Sequence, residues 1–365
     1  MTGSQIIVLA TPVFFGLIGI EWLVGRIRGR NTYRLNDALN SIGLGVLSQV
    51  VGLFTRLAML GVYTVVYERL APRHLPADAP WVWAAALLAY DFCYYWLHRL
   101  GHTVALLWAA HVVHHQSEDY NLSTALRQTG SGWLLGWLFY LPLALAGVPP
   151  LVFVGVGLID LLYQFWVHTQ QIGRLGRFDR WFCSPSNHRV HHAVNDRYLD
   201  RNFGGILIVW DRLFGTFVEE HDAEPCVYGS RAALRSWDPL RANLQVYASL
   251  WRAARQARAW PDKLRVWLGP PGWRPPDVAA RGPQPGFDPA QVQRFDPPMR
   301  APGAALALFA LLLVMTTYLL WFEHELNDFA RLGLGGAVVL GLWLVGRLSQ
   351  EPAASAPPAA GGHWP

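Results

Sequence analysis

The sequence predicts an all-α integral membrane protein, a multi-span helical bundle carrying a histidine-rich di-metal cap on its cytoplasmic side. Three observations lead to that reading. Of 365 residues, 52% are hydrophobic and only 15% charged, where a soluble domain carries about 25% charged residues. Seven stretches are strongly apolar, and most approach the roughly 20 residues that cross a bilayer. Nine of the thirteen histidines fall between residues 98 and 192, most of them at repeated short spacings.

The apolar stretches are residues 5–24, 42–67, 81–97, 133–147, 150–167, 303–322 and 332–348. The first has neither a basic flank nor a small-residue cleavage site, so it reads as a retained helix and not a signal peptide. The fourth is short and contains Pro142, and the turn at 147–150 allows a re-entrant hairpin in place of two full spans. Arg26, Arg28, Arg30 and Arg34 follow the first stretch. The positive-inside rule therefore places that loop in the cytoplasm and the N-terminus outside. The third stretch then returns His98 to the cytoplasmic side, and the hairpin of the fourth and fifth brings His168 there. Nineteen Lys plus Arg between that hairpin and the sixth stretch agree. Lys263 is the only lysine, a composition that points to a GC-rich bacterium and hence to a bacterial inner membrane.

Residues 173–227 are polar and aromatic, with a short buried element and a turn expected in NFGGILIVWDRLFGTF. Residues 234–268 are helix-like and Arg-rich, and LWRAARQAR is an amphipathic stretch suited to the membrane interface. The Pro- and Gly-rich run at 269–289 reads as an irregular connection, and the tail after Gln350 as disordered. The expected division is thus spans over 1–80, a catalytic segment over 81–230, an Arg-rich cytoplasmic segment over 231–302, spans again over 303–348, and the tail over 349–365. Cys93, Cys183 and Cys226 are odd in number and far apart, so neither a disulfide framework nor a thiolate metal site is indicated.

Coordination therefore falls to histidine. His98 and His102 are one turn apart on a helix. His111, His114 and His115 repeat the spacing of His188, His191 and His192; in each triplet one histidine is turned about 100° from its neighbour toward a second ion. With His168 these make nine candidate ligands. A catalytic zinc takes three protein ligands and a structural zinc four, so eight or nine imidazoles argue for two metals. Imidazole suits iron, zinc, copper or nickel alike. Asp91, Asp160, Gln164 and Asp196 are candidates to orient ligand imidazoles, although Asp91 and Asp160 can equally bond to nearby Tyr or Trp. The isolated His74, His221, His324 and His363 read as surface or interfacial residues. A zinc hydrolase lacks support because His-Glu-x-x-His is absent. A metal transporter would want polar residues along its spans, whereas these histidines gather at one end.

The boxes HxxxH at 98–102, HxxHH at 111–115 and HxxHH at 188–192 resemble the fatty acid hydroxylase and sterol desaturase superfamily of membrane di-iron oxygenases. SEDYNLSTALRQ at 117–128, LLYQFWVHT at 161–169, GGILIVWDRLFGTF at 204–217, VYG at 227–229 and GPPGW at 269–273 resemble its ether-lipid-oxidising branch. The resemblance implies two non-haem irons on the boxed histidines, O2 as oxidant, and a lipid C–H bond as target. In that branch the carbon beside an alkyl ether oxygen of an alkylglycerol is hydroxylated, a fatty aldehyde is released, and tetrahydrobiopterin supplies electrons. Another reduced donor or a redox protein can serve that role, and a sterol, carotenoid or fatty acyl lipid is the alternative substrate. Glu118, Asn121 and Arg127, in the presumed loop after the second box, are candidates for the substrate or cofactor vicinity; solvation is the plainer account of Asn121 and Arg127.

Overall fold

The computed structural model describes residues 2–280, 287–292 and 294–351. Within them the chain order is α1 (Gly3–Ile27), α2 (Leu35–Leu70), α3 (Pro80–Thr103), α4 (Ala105–His115), α5 (Leu122–Ala125), α6 (Leu141–Leu145), α7 (Pro150–Trp166), α8 (Pro185–His191), α9 (Val209–Leu213), α10 (Pro239–Gln256), α11 (Trp260–Leu268), α12 (Pro276–Ala279), α13 (Pro302–Trp321) and α14 (Asp328–Leu348). Extended pairing among the described residues is confined to an isolated antiparallel bridge between Phe182 and Leu207. The all-helical expectation holds. Most of the tail expected to be disordered, His363 included, lies outside the described residues, as does part of the Pro-rich connection.

Among the described residues four helices, α1, α2, α13 and α14, are long and apolar enough to cross a membrane, which makes this a multi-pass membrane protein. α2 has 36 residues, well beyond the roughly 20 a span needs, and its first turns bury polar Asn36, Asp37, Asn40 and Ser41. The stretch at 133–147 needs correction as a span. It is two 3₁₀ turns, Gly132–Leu134 and Gly136–Tyr140, running into the five-residue α6. Pro142 in the first turn of α6 has no N–H to donate, which suits a helix start, where that donor has no intrahelical partner. The fifth stretch forms α7, 17 residues long and apolar.

The chain folds as two compact units of discontinuous segments. One comprises Met1–Leu53, Gly101–Gly130 and Val227–Pro365; the other comprises Phe54–Leu100 and Ser131–Cys226.

In the first unit α1 runs antiparallel to α13, since Ser4 Oγ donates to Glu323 Oε2 at 2.8 Å and Gln5 Nε2 to the Trp321 carbonyl at 3.3 Å. α14 starts at Asn327, whose side chain accepts from the Ala330 N–H at 2.8 Å, a cap worth about 1 kcal/mol. α13 and α14 pack closely because Gly341 faces Leu312, where an added Cβ would sit 2.5 Å from a leucine methyl. Their core joins Phe309, Leu312, Val338 and Leu342 to Leu44 and Leu47 of α2 and Val113 of α4. Outward, α1 exposes Leu9, Val13 and Ile20, and α13 exposes Leu311 and Val314, as a lipid-facing surface should. α10 is capped by Asp238, which accepts from Leu240 and Arg241 N–H. It lays Val246, Leu250 and Ala253 against Ala105, Ala109 and Val112 of α4, each large apolar side chain so buried contributing about 1.5–3 kcal/mol. The amphipathic stretch therefore has one face that braces a histidine-bearing helix.

In the second unit α7 packs against the first half of α3. Val82 and Ala86 meet Val152 and Val156, and Tyr63 from the end of α2 stacks on Phe153 with ring centroids 4.1 Å apart. α8 is started by Ser184, whose hydroxyl accepts from Asn187 N–H, with Pro185 at the first helical position. That cap fixes the entry of the helix carrying the third histidine box.

Candidate metal centre

In the first unit, the last turn of α3 presents His102 to α4. The i, i+4 spacing of His111 and His115 puts both on the α4 face that meets it. His102 Nε2 lies 3.2 Å from His115 Nε2, which lies 3.0 Å from His111 Nε2. His114 is turned away and its Nδ1 is 2.8 Å from the Arg127 carbonyl. Burial, aided by the Arg127 guanidinium and His102, pushes the His114 imidazole down to about 4 despite that carbonyl. It is thus neutral near pH 7, the form that ligates metals.

In the second unit, His168 follows α7, and α8 carries His188, His191 and His192. His188 Nε2 is 3.1 Å from His168 Nε2 and 3.2 Å from His192 Nε2. His98 of α3 lies against His191 of α8, with ring centroids 4.2 Å apart, and His191 stacks on His188 at 5.0 Å. Seven of the nine histidines are buried: His98, His102, His115, His168, His188, His191 and His192.

Each unit therefore holds a triplet of imidazoles whose ligand atoms lie within 4.8 Å of one another. Ligand nitrogens about 2.1 Å from one ion are about 3.0 Å apart at a right angle and about 3.4 Å apart in a tetrahedron. The observed 3.0–3.2 Å runs from the first value to midway toward the second, so the imidazoles of each triplet are close enough to share one ion.

The imidazoles are oriented by the main chain. His98 Nδ1 pairs with the Phe203 carbonyl at 2.8 Å, His168 Nδ1 with that of Gln164 at 2.8 Å, and His191 Nδ1 with that of Arg201 at 3.0 Å. With His114 on Arg127, four ligand candidates have Nδ1 committed to an acceptor, which makes it the protonated nitrogen and leaves Nε2 for the metal.

The sequence-derived acids act one step back. Asp91 accepts from Ile206 N–H at 2.7 Å, Leu207 N–H at 3.1 Å and Trp210 Nε1–H at 2.8 Å, so it holds a loop. Asp160 accepts from Gln164 Nε2 at 2.6 Å, and Gln164 Oε1 accepts from Tyr94 at 2.6 Å; it is the main-chain carbonyl of Gln164 that meets His168. Asp196 is exposed. Asp211, not singled out from sequence, accepts from Phe203 and Gly204 N–H at 2.8 and 2.7 Å and from Thr216 at 2.6 Å. Burial pushes its carboxyl up to about 6 despite those donors. Asp91 and Asp211 together fix the 203–210 segment whose first carbonyl orients His98.

Arg127 is also no loop-surface residue. It is 1% exposed and donates to the Val113 carbonyl at 2.6 Å, Asn40 Oδ1 at 2.7 Å, Ser41 Oγ at 3.3 Å and Gln116 Oε1 at 3.2 Å, tying α2 to α4. Asn121 caps α5 and donates to the Thr32 carbonyl at 2.6 Å. Glu118 accepts from Phe295 N–H at 2.6 Å, and burial raises its pKa.

Arg189, between the histidines of α8, was missed in the sequence although an arginine inside a histidine box is itself a signal. It donates to Glu220 at 2.8 and 2.7 Å and to the carbonyls of Thr169 and Ile172 at 2.9 and 2.7 Å, fastening α8 to the turn after His168. Burial opposes ionisation of Glu220, but Arg189 and Ser186 outweigh it and hold the carboxyl below its ordinary range. A carboxylate with a depressed folded pKa adds stability above its unfolded pKa and loses it as pH falls through the folded one. Glu220→Gln should cost about 1–3 kcal/mol near neutrality and flatten the acid-side loss of stability. Thermal unfolding of both proteins from pH 7 down past the ordinary glutamate range measures this, and equal slopes would remove the pair from the account.

The fatty acid hydroxylase family model matches residues 83–216, which contain all nine histidines. Alkylglycerol monooxygenase from Homo sapiens is 43% identical over 267 residues, 73% of this chain and 59% of that protein. Its counterpart from Danio rerio is 37% identical over 353 residues, 94% of this chain and 77% of that protein. An ornithine lipid hydroxylase from Rhizobium tropici is 32% identical over 136 residues, 36% of this chain and 40% of that protein. No solved structure matches the chain.

Proposed function

The chain belongs to the alkylglycerol monooxygenase family, and from that premise we propose that it is a membrane-bound non-haem di-iron monooxygenase of an ether lipid. The observation that carries the proposal is the pair of imidazole triplets, buried except for half-buried His111, with Nε2 separations of 3.0–3.2 Å. His98, His102, His111, His114, His115, His168, His188, His191 and His192 would hold the two irons. Bound iron supplies O2 activation for attack on an unactivated C–H bond.

The chain's own contribution is positional. The carbonyls of Phe203, Arg127, Gln164 and Arg201 set the tautomers of four imidazoles. Burial keeps water from competing for the ligand nitrogens, and the apolar spans give an alkyl chain a hydrocarbon path to the histidine region. One oxygen atom of O2 enters the carbon beside the ether oxygen, and the other leaves as water with two electrons and two protons from a reduced donor. The hemiacetal so formed collapses to a fatty aldehyde and a glycerol derivative. Tetrahydrobiopterin is the proposed donor, with a redox protein as substitute. The Arg clusters after α1 and before α13 support a cytoplasmic histidine face, and the nearly lysine-free composition supports a bacterial inner membrane.

The test is to purify the protein in detergent, quantify iron and zinc per chain, and supply O2, an alkylglycerol and tetrahydrobiopterin. About two irons per chain and pterin-dependent fatty aldehyde are expected. Iron with a hydroxylated lipid and no aldehyde would keep the oxygenase and move the substrate away from an ether lipid. Zinc alone, with no O2 chemistry after iron loading, would sink the oxygenase reading.

A further inference from the structure

The first unit carries two helices whose exposed sides are built alike. On α10, Leu240, Leu244 and Trp251 are 38%, 60% and 58% exposed. At about 100° per residue they fall within about 40° of one another. The stripe buried against α4, with Val246, Leu250 and Ala253, is centred about 120° to one side of them. Exposed Arg241, Arg252 and Arg255 lie about 70° to the other side. α11 repeats the layout. Trp260, Leu264 and Leu268 are 76%, 62% and 64% exposed at i, i+4 and i+8, Val266 is buried, and Arg265 is exposed beyond the stripe. Each helix thus meets protein on one side, shows leucine and tryptophan on the next, and carries arginine on the third.

Its place along the unit's spans tells what covers the leucine and tryptophan. The chain enters α10 where α14 ends: Trp237 N–H donates to Gln350 at 2.9 Å, and its carbonyl accepts from Asn40 of α2 at 2.7 Å. α13 begins at the same end, where Ala301 N–H meets the Leu348 carbonyl at 3.2 Å. The Arg-rich linker after α1 is there too, since Arg34 donates to the Phe295 carbonyl at 2.9 Å. α10 therefore starts at the level where the spans leave hydrocarbon, at the end richest in positive charge, and α11 follows it in the chain.

We propose that α10 and α11 lie in the membrane–water interface, with these six leucine and tryptophan side chains among the acyl chains of a leaflet containing anionic phospholipid. The arginines beside them meet the phosphates. Such helices sit about 5–10 Å into the headgroup and acyl boundary, and each nearby basic residue adds attraction to an anionic leaflet. Because α10 also braces α4, the lipid boundary runs along the outer side of the helix that bears His111, His114 and His115. The surface is independent of the oxidation chemistry, and its test reads depth and not turnover.

The full-length chain is placed in nanodiscs of phosphatidylcholine with phosphatidylglycerol, and a polarity-sensitive dye is attached at Leu244→Cys, Leu264→Cys or, as control, Gln256→Cys, which is exposed on the polar side of α10. Unsubstituted protein labelled in parallel gives the background from native cysteines. At 244 and 264, emission should shift to the blue, and shallow doxyl lipids should quench roughly half of it, more than deep ones do. The dye at 256 should stay open to iodide. Equal iodide quenching at all three positions would overturn the proposal. Shielding at 244 and 264 without doxyl quenching, rising with protein per disc, would overturn it in favour of a second copy.

Discussion

Replacing His115 by alanine is expected to abolish metal retention and turnover while the protein still inserts and folds. His115 is the central member of the first triplet, with Nε2 3.2 Å from that of His102 and 3.0 Å from that of His111. Its loss removes one ligand and leaves the other two without their shared neighbour. Changing a residue that merely orients a ligand costs about 10–100-fold in metal affinity, so losing the ligand should cost more than about 100-fold. His188, central in the second triplet, should behave alike. His74, exposed and stacked on Tyr67, is the control whose alanine variant keeps its metal. Iron per chain by elemental analysis, with size-exclusion behaviour for folding, decides the matter. A His115→Ala protein that holds wild-type iron and turns over would remove the triplet from the metal site.

The second large effect belongs to Arg127. Its guanidinium, pushed down to about 10 by burial, has no exposed route to water. Arg127→Ala strands the Val113 carbonyl, Asn40 and Gln116 as buried acceptors, at about 1–3 kcal/mol each. A loss of at least about 3 kcal/mol is expected, seen as earlier thermal unfolding in detergent. Lysine should recover only part, since one ammonium cannot reach acceptors on α2 and α4 together. The alanine variant should also lose iron, because the carbonyl that orients His114 belongs to the same residue and moves with it. Unchanged stability with a raised KM for lipid would instead return Arg127 to the substrate's vicinity.

Both residues show what could be read from sequence and what could not. His115 was legible because ligand spacing is a local property: i, i+4 on a helix fixes which imidazoles share a face before any tertiary contact is known. The spans of α1, α13 and α14 were legible for a similar reason, as length and apolarity are summed along the chain. Arg127 was misjudged because a polar residue in a presumed loop carries no local mark of the partners 11 to 87 positions away that bury it. Asp91 was expected either to orient an imidazole or to bond a nearby Tyr or Trp; it accepts from Trp210, and only the tertiary structure shows it also holding the backbone of residues 206 and 207. The stretch at 133–147 misled in the opposite sense, since its apolarity suited a span while Pro142 and two 3₁₀ turns denied it a continuous helix.

That four candidate ligands lean on backbone carbonyls has a consequence for how such a centre tolerates change. A carbonyl acceptor is present whatever side chain its residue carries, so a substitution at Gln164, Arg201 or Phe203 alters which imidazole nitrogen bears the proton only where it also displaces the backbone, as is expected at Arg127. What such a centre cannot absorb is a change in chain length. One residue inserted between Phe203 and Asp211 would carry the carbonyl away from His98 while leaving every side chain in its vicinity intact. Drift in the identity of these residues should therefore be tolerated where insertions and deletions are not.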